Sequence, residues 1–166
     1  MVIERLSPLQ VTAYRRLRLR GLRESPTAFG SSHAEEAKFP LKTFAARLEP
    51  SPAKWVFGAF EGKRLVGVVT LIREDKRKER HKASIYGMYV EPKLRRKGVG
   101  RQLIARALDT ARRLRGLKQV RLCVVEANLP ARRLYESVGF TVYGREEDAL
   151  LVAGKFHAEL LLVCRV

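Results

Sequence analysis

Residues whose types and spacing could do chemistry gather first in Met88-Tyr89-Val90-Glu91-Pro92-Lys93-Leu94-Arg95-Arg96-Lys97-Gly98-Val99-Gly100-Arg101-Gln102-Leu103. An apolar run ends there, two glycines follow among consecutive cations, and an amphipathic helix begins. A helix start aims unpaired amides and the positive end of its dipole at one point. Gly98 and Gly100 lack side chains, so a phosphate can come close to the main chain. The segment therefore predicts an anion cradle. Its spacing is neither G-x-x-x-x-G-K-[ST] nor G-x-G-x-x-G, which sets aside the two commonest phosphate loops.

A second constellation follows at Val124-Val125-Glu126-Ala127-Asn128-Leu129-Pro130-Ala131-Arg132-Arg133-Leu134-Tyr135-Glu136-Ser137-Val138-Gly139-Phe140. Arg95-x-x-Gly98-x-Gly100 after Tyr-Val-x-Pro resembles the pyrophosphate motif of the GNAT acetyltransferase superfamily. The later segment is similar to that family's N-x-x-A-x-x-L-Y-E-x-x-G-F. Ser25-Pro26-Thr27-Ala28-Phe29-Gly30-Ser31-Ser32 also occurs in one group of these enzymes, so the resemblance extends over nearly the whole chain.

The resemblance implies an acetyl-CoA-dependent N-acetyltransferase without a metal, acting on a primary amine of a small molecule or protein by direct attack in a ternary complex. Acetyl transfer needs a fixed thioester, an uncharged nucleophile, an oxyanion donor and a proton for the departing thiolate. By resemblance, the amides of Arg96, Lys97, Gly98, Val99 and Gly100 hold the pyrophosphate, with Arg95 near it. Met88 and Val90 face the cofactor from a strand, and Asn128 contacts it or caps a helix. Tyr135 matches the general acid; its alternative is a tyrosine that only packs on the sheet. Phe29 walls the acceptor pocket or anchors the core.

The base is less defined. Many relatives carry a glutamate on the strand before the phosphate loop, but Lys82-Ala83-Ser84-Ile85-Tyr86-Gly87-Met88 has no carboxylate. Glu35, Glu36, Glu159 and His157 remain as candidates on the acceptor side, each also readable as a surface charge or structural partner.

The elements that must position these groups follow from periodicity. Val2–Leu6 alternates as a strand, and Ser7-Pro8 starts a helix to about Arg23 with Leu9, Ala13, Leu17 and Leu22 on its apolar face. A helix over 41–48 comes next. Trp55–Phe60 and Leu65–Ile72 form a hairpin around Glu61-Gly62-Lys63-Arg64, and Ala83–Val90 is a third strand, with Gly87 marking a bulge. A long helix spans about 98–115, a strand 119–125 and a short helix 130–138. Phe140–Gly144, Ala149–Val152 and Phe156–Val163 read as the last strands. The fold class is mixed α/β: one GNAT-type domain over 1–166, with about seven strands flanked by helices on both faces and splayed in the middle for the cofactor.

Composition bounds the alternatives. The 166 residues are enough for one core, and no apolar run is long enough to span a bilayer. The N-terminus lacks a secretory pattern, so the cytoplasm is the expected location, with no membrane partner. Cys123 and Cys164 have no partner at metal or redox spacing and read as buried thiols. Lys and Arg number 34 against 17 Asp and Glu, a net +17. The basic patches 15–23, 73–82, 93–101 and 106–118 keep nucleic-acid or ribosome contact open, although no aromatic interleaving or nucleic-acid motif accompanies them. A silent acyl-CoA binding module and a homodimer also stay open.

Overall fold

Ser7 opens the first helical segment as expected, but the opening turn is wound more tightly than an α-helix. In the computed structural model, which describes residues 1–166, Pro8–Gln10 is a 3-10 turn closed by a capping box. The Ser7 amide donates to Gln10 Oε1 at 2.8 Å, and the Ser7 hydroxyl accepts from the Leu9 amide. Helix α1 (Val11–Glu24) follows. The tighter turn takes Leu9 off the apolar stripe, and it is 93% exposed rather than buried. Leu17 and Leu22 are buried as predicted.

Two short helices come next, α2 (His33–Glu36) and α3 (Leu41–Leu48). The first was not predicted, though Ser32 and Glu35 form a capping box, with the Glu35 amide donating to Ser32 Oγ. The strands are β1 (Val2–Arg5), β2 (Lys54–Glu61), β3 (Arg64–Arg73), β4 (Lys82–Val90), β5 (Gln119–Val125), β6 (Thr141–Val152) and β7 (Lys155–Arg165). Between them lie α4 (Val99–Arg113) and α5 (Leu129–Glu136).

All seven strands form one sheet in the order β1-β2-β3-β4-β5-β7-β6. Only β4 and β5 run parallel, so the sheet is mixed, as expected. Side chains alternate between its faces. On one, Phe57, Ala59, Val66, Leu122 and Val124 pack with Leu103, Ile104, Ala107 and Leu108 of α4. On the other, Val56, Leu65 and Val68 meet Tyr14, Leu17 and Leu22 of α1 and Phe44 and Leu48 of α3.

Two further readings need correction. The last three predicted strands are two, because β6 runs unbroken through Arg145-Glu146-Glu147-Asp148 with register irregularities on either side of Glu146. Those charges hide the alternation in the sequence, yet pairing with β7 carries the backbone through, and an edge strand can leave them in water. Cys123 is exposed, whereas Cys164 is buried as expected. Both lie on apolar strands, but only Cys164 belongs to the core packed beneath α4.

Candidate active site

The site starts at the single parallel junction. β4 and β5 pair only at Lys82↔Gln119, Ala83↔Val120 and Ser84↔Arg121, after which they part. The cause is visible on β4. Its register with β3 passes from Thr70↔Tyr86 to Val68↔Tyr89, so β4 carries one extra residue, and Gly87 supplies the positive φ of 60°. This is the bulge predicted at Gly87. Past it, the facing edges of β4 and β5 open into a cleft of about 1970 Å³.

One end of the cleft is the phosphate-type loop. Pro92–Leu94 forms a 3-10 turn, Arg96 takes φ 60° and Gly98 takes φ 81° as the residue that enters α4. The amides of Arg96, Lys97 and Gly98 donate to nothing in the chain. Those of Val99, Gly100 and Arg101 lie in the open first turn, where Gln102 N to Gly98 O, 3.0 Å, is the bond that starts the helix. Six consecutive amides thus make no hydrogen bond within the chain at the positive end of a 15-residue helix, in a segment rich in exposed cations. The loop can hold a diphosphate by its backbone.

Arg95 lines the cleft as well, and it is tied into the protein by its own contacts. Its Nε donates to Val90 O at 2.9 Å, a second nitrogen reaches Ser25 Oγ at 3.4 Å, and its guanidinium lies 5.6 Å from the centre of the Tyr89 ring. It braces the loop against the end of β4 and the 3-10 turn over Pro26–Ala28, while Arg96 and Lys97 project into solvent at the cleft.

Most other predicted residues line the same cleft: Met88, Val90, Gly98, Gly100, Asn128, Tyr135 and Phe29. Val99 does not, because its side chain is buried under the sheet, leaving only its amide for the loop. Asn128 caps α5, its Oδ1 accepting from the Ala131 amide at 3.3 Å. Tyr135 packs edge-on to Phe140 at 5.9 Å and is 7% exposed. Burial pushes its phenol up to about 12, so it stays protonated through the neutral range. Phe29 is buried against Tyr89, and Arg18 stacks over its ring at 4.7 Å.

The four candidate bases separate clearly. Glu35 lies outside the cleft, where it caps α2 through Ser32. Glu36 lines the cleft but is 2% exposed and held by Arg18 at 2.8 Å and Arg47 at 2.7 Å. Burial pushes its carboxyl up, but the bonds from the two guanidiniums prevail and lower it to about 2, which makes it a poor base. Glu159 and His157 both line the cleft from β7. Burial, and then the Glu146 carboxylate, raise Glu159. Sequence reasoning missed the Arg18–Glu36–Arg47 cluster and the Glu24 carboxylate that accepts from the Tyr89 hydroxyl.

The profile of the acetyltransferase (GNAT) family matches residues 18–140, which include both the loop and the tyrosine helix. The chain belongs to the GNAT acetyltransferase family. Among relatives of this GNAT chain, a mycothiol acetyltransferase of Thermomonospora curvata is 38% identical over 126 residues, covering 74% of the chain and 40% of that protein. The spermidine N(1)-acetyltransferase of Vibrio cholerae is 31% identical over 94 residues, covering 57% of the chain and 53% of that protein. The chain thus spans about 40–53% of the length of these two relatives. A GNAT-family acetyltransferase from Streptococcus pneumoniae shares the fold, with a TM-score of 0.86 at 20% identity over 99% of each chain. So does yncA, a putative acetyltransferase from Salmonella typhimurium solved with its cofactor acetyl-CoA, at TM-score 0.81 and 20% identity, over 99% of this chain and 93% of that one.

Proposed function

We propose that this GNAT chain transfers the acetyl group of acetyl-CoA to a primary amine by direct attack in a ternary complex. The observation that carries the reading is the continuity of the cleft: unpaired amides at α4, two unpaired strand edges beyond Ser84 and Arg121, and a protonated phenol adjoin one space. The α4 amides would hold the diphosphate, and the strand edges would pair with the extended amide-bearing arm as sheet edges pair with a peptide. Met88 and Val90 lie on the β4 edge, where a main-chain amide can donate to the thioester oxygen as charge develops.

In this scheme Tyr135 gives its proton to the sulfur as the C–S bond breaks. A Tyr135→Phe variant is expected to lose about 100-fold in kcat while its acetyl-CoA Kd moves less than about threefold, general-acid catalysis being the part removed. If kcat holds and Kd rises instead, Tyr135 positions the cofactor and supplies no proton.

Titration with acetyl-CoA, followed by coenzyme A release in the presence of amines, tests the whole reading. Spermidine, suggested by the Vibrio cholerae relative, and a peptide with a free α-amine are the first probes. Micromolar binding and turnover with one of them support it; no binding to the unaltered protein overturns it. Binding without turnover would leave an acyl-CoA binding module, which the missing β4 carboxylate makes the natural second reading.

A further inference from the structure

Three carboxylates line the cleft: Glu24, Glu36 and Glu159. Glu24 accepts from Arg20 and from the Tyr89 hydroxyl, and Glu36 from Arg18 and Arg47. Glu159 forms no ion pair and accepts no hydrogen bond from any side chain, although basic residues outnumber acidic ones two to one here. A half-buried carboxylate left without a cation carries a desolvation cost that an incoming cation would offset.

Its position says which partner. In the antiparallel ladders Glu159 stands opposite Val125 of β5 and Glu146 of β6. Paired residues share a face, so Glu159 projects on the face opposite Leu122, Val124 and Leu160, which lie in the core under α4. Cys123 shares that face and is exposed on it. Val125 lies four residues beyond Arg121, the last β5 residue paired with β4, so Glu159 stands beside the stretch of β5 whose other edge borders the cleft. Only β5 separates β7 from the opening, a strand spacing of about 4.8 Å.

Resting on the acetyltransferase reading, we propose that Glu159 receives the ammonium of the acceptor amine and takes its proton, so that the acceptor class is a primary amine arriving as a cation. One ammonium proton passes to the Glu159 carboxylate. The freed nitrogen lone pair then forms the C–N bond to the thioester carbonyl carbon, and the C–S bond breaks. The thiolate takes the Tyr135 phenolic proton, and the second proton lost by nitrogen returns to Tyr135 through solvent. Products are the amide, the free thiol and one proton released from Glu159. Burial and the Glu146 carboxylate push Glu159 upward, in the direction that suits proton uptake.

Two thioethers of coenzyme A test this without knowledge of the acceptor. S-(2-aminoethyl)-coenzyme A carries an ammonium just beyond the sulfur, and S-propyl-coenzyme A is its neutral match in size. The unaltered protein is expected to bind the ammonium compound about tenfold more tightly, one ion pair's worth of discrimination. Glu159→Gln should erase that preference and leave the affinity for S-propyl-coenzyme A unchanged, which also shows the cleft intact. Glu159→Asp, with its charge on a shorter arm, should retain part of it. The inference is overturned by a preference that survives Glu159→Gln, or by none in the unaltered protein. Failure of both compounds to bind the unaltered protein would overturn the acetyltransferase reading, and this inference with it.

Discussion

A Gly98→Glu, Gly100→Glu double variant is expected to weaken acetyl-CoA binding by at least about 100-fold, since hydrogen bonds to charged groups contribute about 1.5–3 kcal/mol each. Gly98 sits at φ 81°, a left-handed conformation that a glutamate adopts only with strain. At Gly100 a Cβ would come within 3.0 Å of Leu134 Cδ2 and 3.2 Å of Met88 Cε, both side chains that line the cleft, so a longer side chain must displace them. Two carboxylates would then stand where six amides and the helix dipole now favour an anion. Isothermal titration measures the loss, and a thermal melt distinguishes it from unfolding. Binding within about threefold of the unaltered protein, in a variant that melts normally, would remove α4 from the account; about 1.4 kcal/mol per tenfold sets the scale.

Replacing Glu36 by Gln should cost about 3 kcal/mol of stability at neutral pH, because a buried charge pair broken on one side leaves the other side uncompensated. Arg18 grips the carboxylate by two nitrogens, at 2.8 and 3.2 Å, and Arg47 adds a third contact at 2.7 Å. The pH dependence gives an independent check. The folded carboxyl is lowered to about 2 from an ordinary 4.5, so its contribution is complete above pH 4.5 and fades as pH falls toward 2. Denaturant melts of the two proteins should therefore differ most near pH 7 and converge in acid. A difference that stayed constant from pH 7 to pH 2.5 would mean that ionisation of Glu36 contributes nothing. Arg18 also stacks on Phe29, so the same variant should loosen the wall of the cleft nearest α1.

Much of the site was legible because its parts are continuous in sequence. Gly98 and Gly100 mark a helix entry within one short stretch, Gly87 marks its own bulge, and Asn128 precedes the helix that it caps. Such local signals survive whatever the rest of the chain does. Contacts between distant residues leave no comparable trace: Arg18, Glu36 and Arg47 are 18 and 11 residues apart and meet only because α1, α2 and α3 pack together. Nothing in the composition of β7 shows that Glu159 lacks a cation, because that depends on which arginines the fold draws elsewhere. Nor does the sequence show that Arg95 also donates to Val90 and Ser25. The short helix α2 did carry a signal in Ser32-x-x-Glu35, and Leu9 a misleading one, since helical spacing counts turns of 3.6 residues and the turn before α1 is tighter.

The three-pair junction between β4 and β5 has a mechanical consequence. Hydrogen-bonded continuity across the middle of the sheet rests on that short stitch, and beyond it the two halves are joined by apolar side chains lying on α4. An extended molecule with regularly placed amides would serve there as the missing strand, closing a ladder that the polypeptide leaves unfinished. On this view the cofactor is a temporary part of the architecture, and the protein is most completely folded while it is loaded.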